Sequence, residues 1–204
     1  MVSTFHAARW PIEFAAAGHS VNGETVSGDL HFVYPSAHGV LVAVVDGIGH
    51  GTEAAEAAAI AAATLEQQVN ESVTSMLEAC HGRLKDTRGA VITVAAFDGK
   101  RSTMAWVGVG NVEGRLLRAD RLRPSEQLVL GAGIVGYRMP TLRPTTTRIV
   151  AGDVLILTTD GIDSAYNPSG YLDESPAYVA DHILRRYRKG TDDALVVAAR
   201  YAGS

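Results

Sequence analysis

The sequence predicts an α+β fold in which two mainly antiparallel sheets pack face to face with helices outside. Three observations point to it. Helical segments are grouped instead of alternating one-for-one with strands, which argues against a parallel α/β sheet. Several strand-like runs are apolar almost without interruption, the pattern of strands covered on both faces. The chain's 204 residues, 47% hydrophobic and 20% charged, suffice for one substantial core, and no repeat or linker-like stretch divides them. A single domain spanning 1–204 is therefore expected.

In chain order, DLHFVYPS (29–36) and GVLVAVVDG (39–47) read as two strands around a tight turn. Alanine, leucine, glutamate and glutamine then carry a helix from about Thr52 to Val69. In a second helix, Val73, Met76, Leu77, Cys80 and Leu84 recur at helical spacing and form one apolar stripe. GAVITVAAFDGKRSTMAWVGVG (89–110) reads as a hairpin turning at Asp98-Gly99. Shorter strand-like runs occupy roughly 112–119 and 145–150, and DVLILTTDG (153–161) is another buried strand. PAYVADHILRRYRKG (176–190) is an amphipathic helix whose basic end suits the negative pole of the helix dipole. ALVVAARYA (194–202) is the last strand.

Composition removes several classes of function. A net charge of −4 argues against a nucleic-acid partner. No apolar run approaches the ~20 residues needed to cross a bilayer, and MVSTFHAARWPIEF lacks the basic-then-apolar order of a leader. The lone Cys80 cannot form an internal disulfide, so a reducing cytoplasm is expected. Its place on the stripe of the second helix reads as core packing.

Asp-Gly occurs three times, in two kinds of setting. At 98–99 it needs no explanation beyond a turn. At 46–47 and 160–161 it closes a buried apolar run, where a carboxylate is costly unless compensated. Two carboxylates about 4 Å apart repel by roughly 4 kcal/mol at an effective dielectric constant of 20. A divalent cation reverses that sign, and an all-oxygen donor set suits magnesium or manganese. Ser27-Gly28-Asp29 opens the strand that pairs with 39–47, and Asp192-Asp193 precedes the final strand. These are two further acidic spots of the same kind. Any single strand-end Asp is more often a turn former or a helix cap, and Asp153 in its Ala-Gly-Asp turn is assigned to that class.

Gly47-Ile48-Gly49-His50-Gly51 is rich enough in glycine to suggest a nucleotide loop. Its third glycine falls one residue early for a dinucleotide fingerprint, and no lysine occurs from 42 to 84 to complete a P-loop. Close backbone approach is the better role: without a side chain, the Gly47 carbonyl can reach a metal. No His-x3-His or Cys-x2-Cys pair suggests zinc.

Ser27-Gly28-Asp29, the Asp-Gly-x-Gly-His-Gly of 46–51, Gly108-Val109-Gly110-Asn111, Thr158-Thr159-Asp160-Gly161 and Asp192-Asp193 occur in an order that resembles the PPM metal-dependent serine/threonine phosphatases. The likeness is to their bacterial SpoIIE/RsbU/RsbX branch and spans about residues 20–200. Within that branch, Thr87-Arg88-Gly89-Ala90 and Val109-Gly110-Asn111-Val112 resemble the RsbX subgroup of stressosome phosphatases. The chain is expected to lack the sensory or membrane regions that precede the catalytic domain in RsbU and SpoIIE.

The resemblance implies a four-layer α-β-β-α sandwich with two Mn2+ or Mg2+ ions in the cleft between the sheet edges. Carried over by motif, Asp46 would bridge the ions, the Gly47 carbonyl would bind one, and Asp160 and Asp192 would hold the other. Asp29 would act through a metal-bound water or a further ion, and Asp193 would accompany Asp192. Asp46 and Asp160 would thus be catalytic through a water bridging the two ions, which attacks phosphorus in line without a phosphoenzyme. Ser27, Gly28, Gly49, His50, Asn111 and Gly161 would shape the surrounding loops.

The implied substrates are phosphorylated STAS-domain proteins of the stressosome, of the RsbS and RsbR kind. Their dephosphorylation would reset general stress signalling. The alternative is a catalytically weak fold that only binds such partners. His19, His31 and His50 lie near the motifs without an assigned general acid. Arg9 is the candidate for the phosphate-gripping arginine of eukaryotic relatives. The short stretch between the second helix and the strand at 89 leaves little room for a flap, so an open cleft is expected.

Overall fold

In the computed structural model, residues 2–5, 10–21 and 24–203 are described. Arg9 lies outside them. Two sheets are stacked, one of six strands and one of five. The first has the order β1 (Val2–Phe5), β2 (Ile12–His19), β11 (Ala194–Tyr201), β10 (Val154–Thr158), β7 (Glu113–Leu117) and β8 (Glu126–Gln127). The second has the order β3 (Asp29–Ser36), β4 (Gly39–Gly47), β5 (Ala90–Asp98), β6 (Thr103–Val109) and β9 (Thr145–Arg148). All the named strand pairs are antiparallel. Helices α1 (Thr52–Gln67) and α2 (Val73–Arg83) pack on the five-stranded sheet, and α3 (Pro176–Tyr187) packs on β2 and β11 of the other. The result is the expected α-β-β-α sandwich.

Three apolar cores fill the three spaces between layers, and alternation along the strands divides residues among them. In β4, Val40, Val42 and Val44 face the other sheet, whereas Leu41, Ala43 and Val45 face α1 and α2. In β11, Leu195, Val197 and Ala199 face inward, whereas Ala194, Val196 and Ala198 lie under α3. Both strands are covered on both faces, which is why their sequences show no polar alternation.

The helices follow from caps and small side chains. Ser72 accepts a hydrogen bond from the Ser75 N–H and caps α2, a contribution of about 1 kcal/mol. Ser175 does the same for α3, with Pro176 in its first turn. The stripe of Val73, Met76, Leu77, Cys80 and Leu84 is buried as expected. Burial pushes the Cys80 thiol up to about 12, so it is a neutral core residue.

Several boundaries differ from the sequence reading. Helix α1 ends at Gln67, α3 ends at Tyr187, and β10 ends at Thr158, two residues before Asp160. The β5–β6 connection is longer than a two-residue Asp-Gly turn: Gly99–Ser102 separate the strands, and Ser102 takes the left-handed φ of 50°. Asp98 stabilises this loop by accepting the Arg101 N–H at 3.0 Å. Strands β1 and β2 were not expected at all. Among the described residues, no helix is long and apolar enough to cross a membrane.

Candidate active site

Strand register brings the acidic motifs to one rim of the sandwich. Asp46 continues the inward-facing series Val40, Val42, Val44, so its carboxylate points into the space between the sheets at the end of β4. Asp29 is its direct cross-strand partner on β3, which puts both carboxylates on the same face. From the opposite sheet, Asp160 follows the end of β10, and Asp192 and Asp193 precede the start of β11. Because β10 and β11 are antiparallel, with Thr158 paired to Val196, those two ends share that rim.

Hydrogen bonds hold four of these side chains, each in its own way. The Thr159 hydroxyl donates to Asp29 Oδ2 at 2.7 Å and accepts the Leu195 N–H at 2.9 Å, so one buried residue ties the two sheets together. Asn111 Nδ2 donates to Asp160 Oδ2 at 2.8 Å. Lys189 Nζ donates to the Asp160 backbone oxygen at 2.7 Å. Asp192 Oδ1 accepts the Asp193 N–H at 2.8 Å. Asp193 is buried, and its two oxygens accept the N–H groups of Val21 at 2.7 Å and Gly28 at 2.6 Å. It therefore fixes the segment leading to Asp29 and has little capacity left for a ligand. Ser27 Oγ accepts the Asp29 N–H at 3.1 Å and shapes the same turn.

Burial dominates the electrostatics of the rim, and mutual repulsion of the carboxylates adds to it. Burial raises Asp46 to about 8, with repulsion from Asp29, Asp160, Asp192 and Asp193 adding to it. Burial also raises Asp29 to about 7; the Thr159 hydroxyl pulls the other way, and Asp193, Asp160 and Asp192 push it further up. Asp160 is raised by burial and by Asp192, with Lys189 opposing. A free carboxylate has no reason to be held where it resists ionisation. Such perturbed groups gathered at one cleft mark a functional site.

The glycines of the motifs are explained by backbone contact. A β-carbon on Gly47 would lie 2.1 Å from the Ala54 carbonyl oxygen, and one on Gly28 would lie 2.8 Å from the Ala54 side chain. One on Gly161 would lie 1.9 Å from the Asp193 carbonyl oxygen. Each glycine thus lets an Asp-bearing segment approach its neighbour. Gly49, with a φ of 91°, lets the loop turn beside Arg88. His50 turns away to Glu24, Nδ1 to Oε1 at 2.7 Å, with 64% of its side chain exposed. It belongs to a surface pair.

The oxygen-rich rim fits a hard divalent cation. Among the described residues, no three His, Cys, Asp or Glu side chains form a compact cage for an ion. The donors at the rim are all oxygens, a set that suits magnesium or manganese and not zinc. Sequence reasoning missed Thr159 and Lys189. Thr159 stands inside the Thr-Thr-Asp-Gly motif, where its position next to Asp160 was the available signal. Lys189 carried none, because its contact depends on the path of the chain after α3.

Comparison with known proteins agrees with this architecture. The family described as Stage II sporulation protein E (SpoIIE) matches residues 36–202, and the chain belongs to that family of PPM-type phosphatase domains. Over 144 residues it is 27% identical to the phosphoserine phosphatase RsbX of Bacillus subtilis (strain 168), covering 69% of this chain and 70% of that one. A chain from work on the bacterial stressosome, a modular system adapted to control secondary messenger signalling, is 30% identical, with a TM-score of 0.86 over 93% of this chain and 99% of that one. RsbX in complex with magnesium shares the fold, with a TM-score of 0.88 at 21% identity over 99% of this chain and all of that one (100%).

Proposed function

We propose that the chain, as one domain over 1–204, is a metal-dependent phosphoserine/phosphothreonine protein phosphatase acting in the cytoplasm on stressosome proteins. Its substrates would be phosphorylated STAS-domain proteins of the RsbS and RsbR kind. The observation that carries this reading is the convergence of Asp29, Asp46, Asp160 and Asp192 on one rim between the sheets. The similar proteins support it, one being named a phosphoserine phosphatase and another coming from work on the bacterial stressosome.

In this reading Asp46, the Gly47 carbonyl, Asp160 and Asp192 hold two Mg2+ or Mn2+ ions, with Asp29 beside them. Bound there, the ions would supply an acidified water and neutralise charge on the phosphoryl oxygens. The chain's own residues prepare that chemistry. Thr159 stabilises the charged form of Asp29 by donating to it, Asn111 orients the Asp160 carboxylate, and Asp193 anchors the turn before Asp29. Asp46 and Asp29, left without a cation, resist ionisation. Cation binding and loss of their protons are therefore coupled, and metal affinity rises with pH.

The test is phosphate release from a phosphoserine-bearing STAS protein with manganese and with chelator, alongside Asp46→Asn. Release by the wild type with metal, and by neither control, is the expected result. Binding of the phosphoprotein without release under saturating manganese would overturn the reading in favour of a partner-binding module.

A further inference from the structure

The end of α3 and the residues after it carry four cations in five positions: Arg185, Arg186, Arg188 and Lys189, all exposed. In a chain of net charge −4 this is a local inversion of sign. The helix dipole accounts for Arg185 and Arg186 in the last turn. Arg188 caps the helix at that same pole, its N–H donating to the Leu184 oxygen, and Lys189 lies beyond it. Arg185 is engaged, its Nε donating to Asp181 Oδ1 at 2.9 Å.

Residues 187–189 run alongside the turn that carries Asp160. The Asp163 N–H donates to the Tyr187 oxygen at 2.8 Å, and the Lys189 N–H donates to the Gly161 oxygen at 2.9 Å. Ile162 and Arg188 form an isolated antiparallel bridge between these contacts. Lys189 Nζ reaches the Asp160 carbonyl oxygen. The backbone of the basic tract is thus fastened to the turn that carries Asp160, with its cations exposed beside that turn.

This juxtaposition has a consequence for a protein substrate. Cations beside the rim would draw in acidic residues flanking a phosphoserine and fix their register. We propose that the Arg185–Lys189 tract is a docking surface for the phosphoprotein substrate that selects acidic residues flanking the phosphorylated serine. This rests on the phosphatase reading given above.

The test compares synthetic phosphoserine peptides of equal length with acidic, neutral or basic flanking residues, and p-nitrophenyl phosphate as a substrate without flanks. The enzymes are the manganese-loaded wild type and the double variant Arg186→Glu, Arg188→Glu, which leaves every rim carboxylate and Lys189 in place. Two or three exposed charge pairs predict a kcat/KM about tenfold higher for the acidic peptide than for the neutral one. Raising the ionic strength from about 0.05 M to about 0.5 M should erase the advantage. The double variant, whose tract carries no net charge, should abolish the preference and leave p-nitrophenyl phosphate turnover unchanged.

Equal turnover of the three peptides by the wild type would overturn the proposal. So would a loss on p-nitrophenyl phosphate matching the loss on the acidic peptide, which would make the tract structural. Preferential binding of the tract to anionic vesicles or oligonucleotides, without peptide discrimination, would also overturn it. If the wild type hydrolyses no phosphoester at all, the phosphatase reading fails first and this proposal falls with it.

Discussion

Replacing Gly161 by alanine should damage the rim more than any nearby surface change. The new β-carbon would sit 1.9 Å from the Asp193 carbonyl oxygen, 2.8 Å from its carbon and 3.0 Å from the Ala194 Cα. These are backbone atoms, so no rotamer change relieves the contact. Non-bonded atoms settle at about 3.5 Å, and the ends of β10 and β11 must therefore part by more than about 1 Å. Parting them strains the bonds from the Thr159 N–H to the Leu195 oxygen, at 3.1 Å, and from the Leu195 N–H to Thr159 Oγ1, at 2.9 Å. Overpacking of this kind costs about 3 kcal/mol. For a chain of this size that lowers Tm by about 6–12 °C. Thermal melts in chelator read the first effect, and manganese titration should show that metal affinity falls with it. Gly82→Ala is the control. It lies in α2 with nothing within 4 Å of the added carbon, so it should raise stability by about 0.5–1 kcal/mol. A Gly161→Ala melt within about 2 °C of the wild type would refute the close-approach reasoning.

Three other outcomes follow from the same geometry. Thr159→Val removes the donor to Asp29 and orphans the buried Leu195 N–H, at a cost of about 1–3 kcal/mol; denaturant melts read the loss, and carboxylate NMR should find Asp29 raised further. Asp193→Asn turns an amide NH2 against one of two backbone donors, so it should destabilise by about 2 kcal/mol and weaken manganese binding in calorimetry; unchanged affinity would count against its anchoring role. The metal-free protein should lose stability as pH rises. Asp29 and Asp46 titrate at about 7 and about 8 in the folded state, so the native form keeps protons that the unfolded chain releases above about pH 4. That stabilisation is fully present below the unfolded value and is lost as pH passes the folded values. Each unit of difference is worth about 1.4 kcal/mol, and the two groups together lose about four units between pH 5.5 and pH 8.5, so Tm in chelator should fall by roughly 10–20 °C, and excess manganese should offset it. A flat or rising profile would contradict the burial of these groups.

How much the sequence discloses depends on whether a residue's partners are near or regular. Strands β3 and β4 match the expected bounds at both ends, because a buried apolar run broken by a turn specifies its own limits. The alignment of Asp29 with Asp46 then follows from hairpin register. Strand β2 escaped because Ala15, Ala16 and Ala17 favour helix by propensity. In the fold, Ala15 and Ala17 are buried beneath α3 as small strand residues, so tertiary packing overrides local preference. Asp153 forms a turn as read, its Oδ2 accepting the Val150 N–H at 3.2 Å, but it is also buried against Arg118, Oδ2 to Nη1 at 2.8 Å. Its partner is 35 positions away, and no local pattern announces it. Lys189 was invisible for the same reason. The acidic motifs stood out because each places a carboxylate at the end of a strand, where it looks out of place.

The central claim is that Asp46, Asp160 and Asp192, with Asp29 beside them, make the rim a site for divalent cations. Manganese titration followed by electron paramagnetic resonance, on the wild type, Asp46→Asn and the exposed control Asp173→Asn, tests it most directly. Saturable binding by the wild type and by Asp173→Asn, lost in Asp46→Asn while its fold is retained, is the predicted result. Equal manganese binding by Asp46→Asn, or none by the wild type, would contradict it.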